Sequence, residues 1–189
     1  MTIDRTTGWL AGARRVVSPN CDERPANAEL CLIVIHGISL PPGEFGGPWI
    51  DRFFCNALPA HADPYFVTIA AMRVSAHVLI DRAGRLTQYV PFERRAWHAG
   101  QSSHCGRDAC NDFSVGIELE GADDIPYSPE QYEALAALIR LLRSTYPTLR
   151  GADVVGHSDI APGRKTDPGP VFDWARLRGL LAASAATPP

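Results

Sequence analysis

Three prolines and three glycines fall within residues 156–170. Proline fixes the backbone φ angle and glycine adopts dihedral angles that other residues rarely reach, so this segment is expected to form a loop of defined shape. The same loop contains His157, Lys165 and Asp167. An imidazole, an ammonium group and a carboxylate in one rigid loop are typical of a functional site rather than of a linker.

Short apolar segments predict the strands of a β-sheet. Residues 32–35 and 153–155 are expected to be buried strands, and His36 and His157 follow them closely. Residues 74–81 and 86–90 predict a β-hairpin. Residues 114–120 alternate, so we expect an apolar face and a face with glycine and two glutamates. These two faces hold Val115, Ile117 and Leu119, and Gly116, Glu118 and Glu120, respectively.

Two helices are predicted in the second half of the chain. Ser128 is a favourable N-cap, proline follows it in the first turn, and Gln131 stands three residues after the cap. Apolar residues then recur with helical periodicity up to Thr145. Residues 172–183 predict a closing helix, and residues 184–189 are expected to fray.

Together these elements predict an α/β (mixed α+β) fold with a central mixed β-sheet flanked by helices. The chain has 189 residues and no segment resembling a linker, so we expect a single domain over residues 1–189 with its core at about 8–183. Ligands of open α/β sheets bind beyond the C-terminal ends of the strands. Both strand-end histidines therefore stand where a site is expected.

Composition argues against several partners. The formal net charge is −3 and the basic residues are scattered, so no nucleic-acid partner is expected. The apolar runs are far shorter than the roughly 20 residues that span a bilayer, so no membrane contact is expected. We expect a cytoplasmic protein with free thiols, because no signal-peptide-like apolar segment is seen and the five cysteines are irregularly spaced. No obligate protein partner is indicated.

His36, His157 and Asp167 offer the ligands of a catalytic zinc site. Zinc binds imidazole nitrogen and carboxylate oxygen, and catalytic sites keep three protein ligands and one open position. The alternative is that each histidine is an ordinary buried residue with its ring hydrogen bonds satisfied. Cys105 and Cys110 lack a second ligand pair at a suitable spacing, so no structural metal is expected there.

Glu118 and Lys165 are the candidate catalytic groups. A carboxylate in an apolar strand is costly to bury unless it has a function, so Glu118 is expected to act as acid or base. Its alternative is a salt-bridged sheet carboxylate. Glu120 shares the same face of the strand and is assigned a structural role. The Lys165 ammonium could stabilise an oxyanion, and its alternative is an ordinary exposed lysine.

The remaining histidines are expected to be less important. His77 lies within a predicted strand and is interpreted as structural. His61 and His104 fall in polar segments and are expected to be solvated. His98 follows Trp97 and is expected in the wall of a pocket rather than among the metal ligands.

Five segments carry a resemblance to a known family: residues 38–51, 73–77, 95–100, 110–121 and the loop at 156–170. Through them the chain resembles the zinc-dependent N-acetylmuramoyl-L-alanine amidases of type 2, whose fold is similar to that of peptidoglycan-recognition proteins. The likeness extends over nearly the whole chain. It implies hydrolysis of the amide between the lactyl group of 1,6-anhydro-N-acetylmuramic acid and L-alanine in cytosolic muropeptides, during peptidoglycan recycling. The implied partner is therefore a small-molecule muropeptide.

The resemblance also implies roles for single residues. One zinc ion per chain would be bound by the three ligands named above, with Glu118 as the catalytic carboxylate and Lys165 as the oxyanion-stabilising group. Tyr65 is implied near the active site. Substrate contacts are implied for Arg73, Trp97 and Arg107. The chain departs from the family at Gly37, where relatives often carry Asn, so one hydrogen bond to the substrate is expected to be missing.

Two alternatives to this function remain at the level of sequence. One is a non-catalytic peptidoglycan-binding module of the same fold, which is expected to lack part of the metal set. The other is an exported amidase that acts on intact cell wall. The presence of all the candidate site residues argues against the first alternative.

Overall fold

The computed structural model describes residues 1–183, and the predicted fraying of residues 184–189 lies outside them. The strands are β1 (Thr2–Asp4), β2 (Trp9–Ala11), β3 (Arg14–Arg15), β4 (Cys21–Asp22), β5 (Leu32–Ile38), β6 (Val78–Ile80), β7 (Leu86–Gln88), β8 (Arg95–Ala96), β9 (Ser103–His104), β10 (Arg107–Asp108), β11 (Ser114–Glu120) and β12 (Asp153–Gly156). The α-helices are α1 (Trp49–Phe54), α2 (Phe66–Ile69), α3 (Pro129–Thr145), α4 (His157–Ile160) and α5 (Trp174–Ala183). Short 3-10 helices lie at Cys110–Asp112 and Pro147–Leu149.

The central sheet has six strands in the order β12-β5-β11-β6-β7-β3. Strands β12, β5, β11 and β6 are mutually parallel, β7 is antiparallel to β6, and β3 is parallel to β7. Three antiparallel pairs, β1–β2, β4–β8 and β9–β10, lie outside this sheet. The predicted mixed sheet flanked by helices is confirmed.

The longest predicted elements have the expected bounds. Strand β11 spans the predicted residues 114–120, and helix α3 begins after the predicted Ser128 cap. The Ser128 hydroxyl accepts a hydrogen bond from the Gln131 N–H, and the Gln131 side chain accepts one from the Ser128 N–H. Both backbone groups would otherwise lack a partner at the helix end.

Several predicted boundaries need correction. The hairpin strands are shorter than predicted, since Ser75 pairs with the Trp97 carbonyl instead of continuing the strand. Helix α5 begins two residues later than predicted, because the Asp173 carboxylate accepts a hydrogen bond from the Arg176 N–H and so caps it. His157 opens the short helix α4 inside the segment predicted to be a loop.

The two faces of the sheet pack against different helices. Helices α3 and α5 cover the face that carries Ile33, Ile35 and the predicted apolar residues of β11. A second core, built from α1, α2 and β6–β7, includes Phe54, Phe66 and Tyr89. On the opposite face of β5 and β11, a third cluster covers Leu32 and Val34. His36 and Glu118 lie on that same face, nearer the C-terminal ends of their strands.

None of the helices in residues 1–183 has the length and apolar character needed to cross a membrane.

Candidate metal centre and active site

The parallel register of the sheet brings the candidate residues together. His36 on β5 is directly opposite Glu118 on β11, so their side chains share one face. Strand β12 pairs with β5 as far as Gly156, and His157 follows at the first residue of α4. The site therefore lies at the C-terminal ends of parallel strands, as predicted.

His36, His157 and Asp167 meet in a compact triangle. His36 Nδ1 lies 3.0 Å from His157 Nδ1 and 3.2 Å from Asp167 Oδ2, and His157 Nδ1 lies 3.1 Å from Asp167 Oδ2. Within the described residues these three form one of two groups able to hold a metal ion. In a tetrahedral zinc site with bonds of about 2.0–2.1 Å, neighbouring ligand atoms lie about 3.3–3.4 Å apart. The observed triangle is close to that size.

A hydrogen-bonded relay fixes the proton of His36. The Ser114 hydroxyl donates to the Cys110 carbonyl at 2.5 Å, so its oxygen is free to accept from His98 Nε2 at 3.1 Å. His98 Nδ1 must then accept from His36 Nε2, which lies 2.9 Å away. His36 Nδ1 consequently carries a lone pair that points into the triangle.

The proton of His157 is fixed in a similar way. Its Nε2 lies 3.2 Å from the Ala99 carbonyl, which can only accept a hydrogen bond. His157 Nδ1 therefore also presents a lone pair. Two imidazole lone pairs and a carboxylate oxygen cannot satisfy one another by hydrogen bonding, whereas a divalent cation would satisfy all three. The chemistry of this donor set fits zinc.

Burial keeps the ligand histidine neutral. His36 is 2% exposed, and desolvation lowers the pKa of its imidazole to about 4, although the neighbouring Asp167 carboxylate opposes the shift. Burial, followed by the charge of a protonated His36, lowers the pKa of His98 well below its usual range. Neutral imidazole is the form that binds a metal ion.

Glu118 is a buried carboxylate with an unsatisfied oxygen. The residue is 8% exposed, and its Oε2 atom has no hydrogen-bond partner. Desolvation, and next the negative charge of Asp167, raise the pKa of this carboxyl well above its usual range, while Lys165 opposes the shift. A carboxyl group with a raised pKa holds its proton more tightly than an ordinary glutamate, which suits a group that must pass a proton on during acid–base catalysis.

An open cavity of about 500 Å³ gives access to these groups. Its lining includes the metal triangle, Glu118, Lys165 and Tyr65. All six predicted metal-binding and catalytic residues therefore line one cavity. Lys165 is half-buried and Tyr65 is exposed. The opposite wall is mostly apolar and comes from α1, α2 and nearby segments, with Leu40, Phe53, Phe54, Ile69, Met72 and Val74.

The three predicted substrate contacts do not line this cavity. Arg73 is exposed and its guanidinium donates to carbonyls of its own loop. Trp97 donates from its indole nitrogen to Asp22 at 3.0 Å, and Arg107 lies over the ring of Phe113. Their contact with a substrate stays a prediction.

Gly37 follows His36 and lines the same cavity. A Cβ atom at this position would collide with the Tyr127 hydroxyl, which donates to the Pro168 carbonyl at 2.9 Å. In this chain the space beside residue 37 is thus occupied by a group that holds the residue after Asp167. The effect of Gly37 on substrate affinity stays a prediction.

The structure agrees with some of the other predicted roles and differs from one of them. His98 lies in the cavity wall as expected, and it also supports His36. His77 is fully buried and accepts a hydrogen bond from the Gly116 N–H, which agrees with a structural role. Glu120 binds the Gly46 and Arg82 N–H groups and so holds two loops. His104 was expected in a solvated loop, but it lies in β9 and contacts Asp153.

The expectations from the sequence do not include the apolar wall of the cavity. Residues 49–54 contain Ile50, Phe53 and Phe54 at a spacing of three and four residues, preceded by a proline. This pattern indicates one amphipathic helical turn and could have revealed α1.

Comparison with known proteins agrees with the family resemblance seen in the sequence. The model of the N-acetylmuramoyl-L-alanine amidase family (Amidase_2) matches residues 27–170. The chain is 58% identical over 175 residues to the 1,6-anhydro-N-acetylmuramyl-L-alanine amidase AmpD of Escherichia coli (strain K12), which covers 93% of this chain and 95% of that protein.

Solved structures of two amidases superpose on this chain. A crystal structure of a selenomethionine AmpD derivative superposes with a TM-score of 0.92 at 57% identity, covering 96% of this chain and 99% of that one. The E. coli amidase AmiD, in complex with anhydro-N-acetylmuramic acid-L-Ala-D-γ-Glu-L-Lys, superposes with a TM-score of 0.58 at 31% identity, covering 84% of this chain and 60% of that one.

Proposed function

This chain belongs to the N-acetylmuramoyl-L-alanine amidase family, and from that premise we propose that it is a zinc amidase for soluble anhydro-muropeptides. The bond cleaved is the amide between the lactyl group of 1,6-anhydro-N-acetylmuramic acid and the L-alanine of the stem peptide. The reaction would serve peptidoglycan recycling in the cytoplasm, with a small-molecule muropeptide as the partner.

The observation that carries this proposal is the convergence of three lone-pair atoms beside an unpaired buried carboxylate. His36, His157 and Asp167 would hold one zinc ion per chain. Zinc, when bound, supplies a Lewis acid that activates water and polarises an amide carbonyl.

Glu118 would move the protons of the reaction. Its raised pKa allows it to accept a proton from the attacking water and to return that proton to the departing alanine nitrogen. Without that second transfer the amine would have to leave as an unstable anion.

Lys165 would stabilise the charge that develops on the carbonyl oxygen, because it lines the same cavity and is half-buried, where its ammonium is less screened than in water. Tyr65, at the exposed edge of the cavity, would contribute a hydroxyl near the reacting amide. Trp97, Arg73 and Arg107 are proposed to touch the substrate, the two arginines through stem-peptide carboxylates.

The test is mass spectrometry of the products formed from a purified anhydro-muropeptide. The proposal predicts free anhydro-N-acetylmuramic acid and an intact stem peptide beginning with L-alanine. Turnover of polymeric cell wall at the same rate would favour an exported wall amidase instead. Binding of the muropeptide by zinc-loaded protein without turnover would favour a non-catalytic binding module.

Two variants separate the metal from the acid–base group. Glu118→Gln should keep its zinc and lose about 10²–10⁴-fold in kcat, the usual worth of a general acid or base. Asp167→Ala should lose both tight zinc binding and activity. Full activity in the first variant would remove Glu118 from the scheme, and retained tight zinc in the second would mean that the third ligand is misassigned.

A further inference from the structure

A second group of metal-ligating side chains lies outside the cavity. His104 and Cys105 stand at the turn between β9 and β10, and Asp153 is the first residue of β12. His104 Nε2 lies 3.0 Å from Asp153 Oδ2 and 3.5 Å from Cys105 Sγ. The three ligand atoms all lie within 4.8 Å of one another, and none of these residues lines the cavity.

Hydrogen bonding engages His104 Nε2 fully with only one of its two neighbours at a time. If His104 Nε2 carries the proton, it can donate well to Asp153 but leaves the sulfur contact without a role. If Nε2 is unprotonated, the thiol can donate a hydrogen bond to it. The lone pair of Nε2 then faces a lone pair of Asp153 Oδ2, which lies 3.0 Å away. A cation bound to imidazole, thiolate and carboxylate removes this conflict.

The two distances from His104 Nε2 are compatible with ligands that share an ion. With zinc–sulfur bonds of about 2.3 Å and zinc–nitrogen bonds of about 2.0–2.1 Å, a tetrahedral site separates sulfur from nitrogen by about 3.5–3.6 Å. The observed separation between Cys105 Sγ and His104 Nε2 is 3.5 Å. The nitrogen–oxygen contact is similar to those in the cavity triangle.

The backbone gives a second, independent observation. Cys105 and Gly106 have positive φ angles of 50° and 78°, and they are the two central residues of a hairpin turn closed by the His104–Arg107 pair. Such a turn favours Asn, Asp or Gly at its first central position, because a β-carbon is strained there. A cysteine that keeps this strained position beside two other ligands points to a use for its sulfur.

We propose that His104, Cys105 and Asp153 form a second, surface site for zinc, with its fourth position open to solvent. This site is independent of the proposed amidase function. A metal bound there would join the β9–β10 hairpin to the start of β12, the strand that leads to His157. It is therefore expected to stabilise the fold and to leave hydrolysis unchanged.

Cobalt(II) titration of the metal-free protein under reducing conditions tests the proposal. A thiolate bound to Co²⁺ gives an intense near-ultraviolet charge-transfer band, and the cavity triangle contains no sulfur that could produce one. The wild-type protein should bind two Co²⁺ ions per chain and show the band. Added zinc should bleach it.

Variants identify the sulfur. Cys105→Ser should bind one Co²⁺ ion, lose the band and keep wild-type kcat/KM. Cys31→Ser is the matched control, since Cys31 is also an exposed free cysteine, and it should keep both ions and the band. One Co²⁺ per wild-type chain without a band, or a band that survives in Cys105→Ser, would overturn the proposal.

Discussion

Glu118 has surroundings that differ strongly from those of a free side chain. It sits in the middle of a strand whose seven residues are all buried, and one of its oxygens has no partner. A buried carboxyl of this kind favours its neutral form. The cost of ionising it is the physical basis of the proposed acid–base role.

The raised pKa of Glu118 makes a prediction about the stability of the metal-free protein. The unfolded carboxyl has a pKa near the ordinary glutamate value of 4.5, and burial raises the pKa of the folded one. Its stabilising contribution is therefore complete below pH 4.5 and is lost as the pH rises through the folded pKa. Over that window the free energy of unfolding should fall by up to about 1.4 kcal/mol per pH unit.

Urea unfolding of wild type and Glu118→Gln from pH 4 upward, with chelator present, measures this dependence of the free energy of unfolding on pH. The variant lacks the ionisation, so its advantage over wild type should grow with pH above about 4.5. A stability difference that does not change with pH would show that Glu118 is not desolvated as described.

His98 is predicted to orient His36 through the relay to Ser114. His98→Leu removes both hydrogen bonds, and zinc affinity should fall about 10–100-fold, as for other groups that orient a metal ligand. His98→Gln should recover most of the affinity, because its amide oxygen can accept from His36 and its amide nitrogen can donate to Ser114. Competition with a chromophoric chelator measures both variants, and equal affinities in the two would contradict the relay.

The sequence predicted site residues where the type and position of a single side chain indicated its role. The metal triangle followed from two histidines at strand ends and a carboxylate in a rigid loop, and Glu118 followed from a carboxylate within an apolar strand. The relay could not be predicted, because it needs His98 to approach β11 closely. That approach depends on Gly116, where a Cβ atom would overlap the His98 ring.

At the scale of elements, local signals identified the longest segments. Alternation and capping chemistry predicted β11 and α3 with their observed bounds. The short elements α1, α2 and β1–β4 were missed, since two to six residues carry too little periodicity to indicate a type. Their positions are decided by packing against the sheet, which no local pattern reports.

The capping box of α3 gives a prediction at this scale. Ser128→Ala should lower the free energy of unfolding by about 1 kcal/mol. The thermal midpoint should consequently fall by about 2–4 °C. Activity should not change, because α3 covers the face opposite the cavity. Ser144→Ala is the control, since Ser144 is exposed on the same helix and caps no N–H group. Equal midpoints for the two variants would contradict the role of the cap.

At the scale of the whole molecule, both cores share the six-stranded sheet. The α3–α5 core and the α1–α2 core include residues of the same strands, such as Ile80 and Leu79 on β6. We therefore expect residues 1–189 to unfold as one domain.

Tryptophan fluorescence can report on the two cores separately. Trp49 packs on the α1–α2 core and Trp174 on the α3–α5 core. Variants that keep only one of these tryptophans should give the same denaturant midpoint as circular dichroism. Distinct midpoints would mean that the cores are separate folding units.

The most direct test of the account is an anomalous difference map at the zinc absorption edge, from crystals of zinc-loaded protein. The account predicts a peak about 2.0–2.2 Å from His36 Nδ1, His157 Nδ1 and Asp167 Oδ2 together. Zinc bound through the Nε2 atoms of these histidines, or no peak within reach of all three residues, would contradict it.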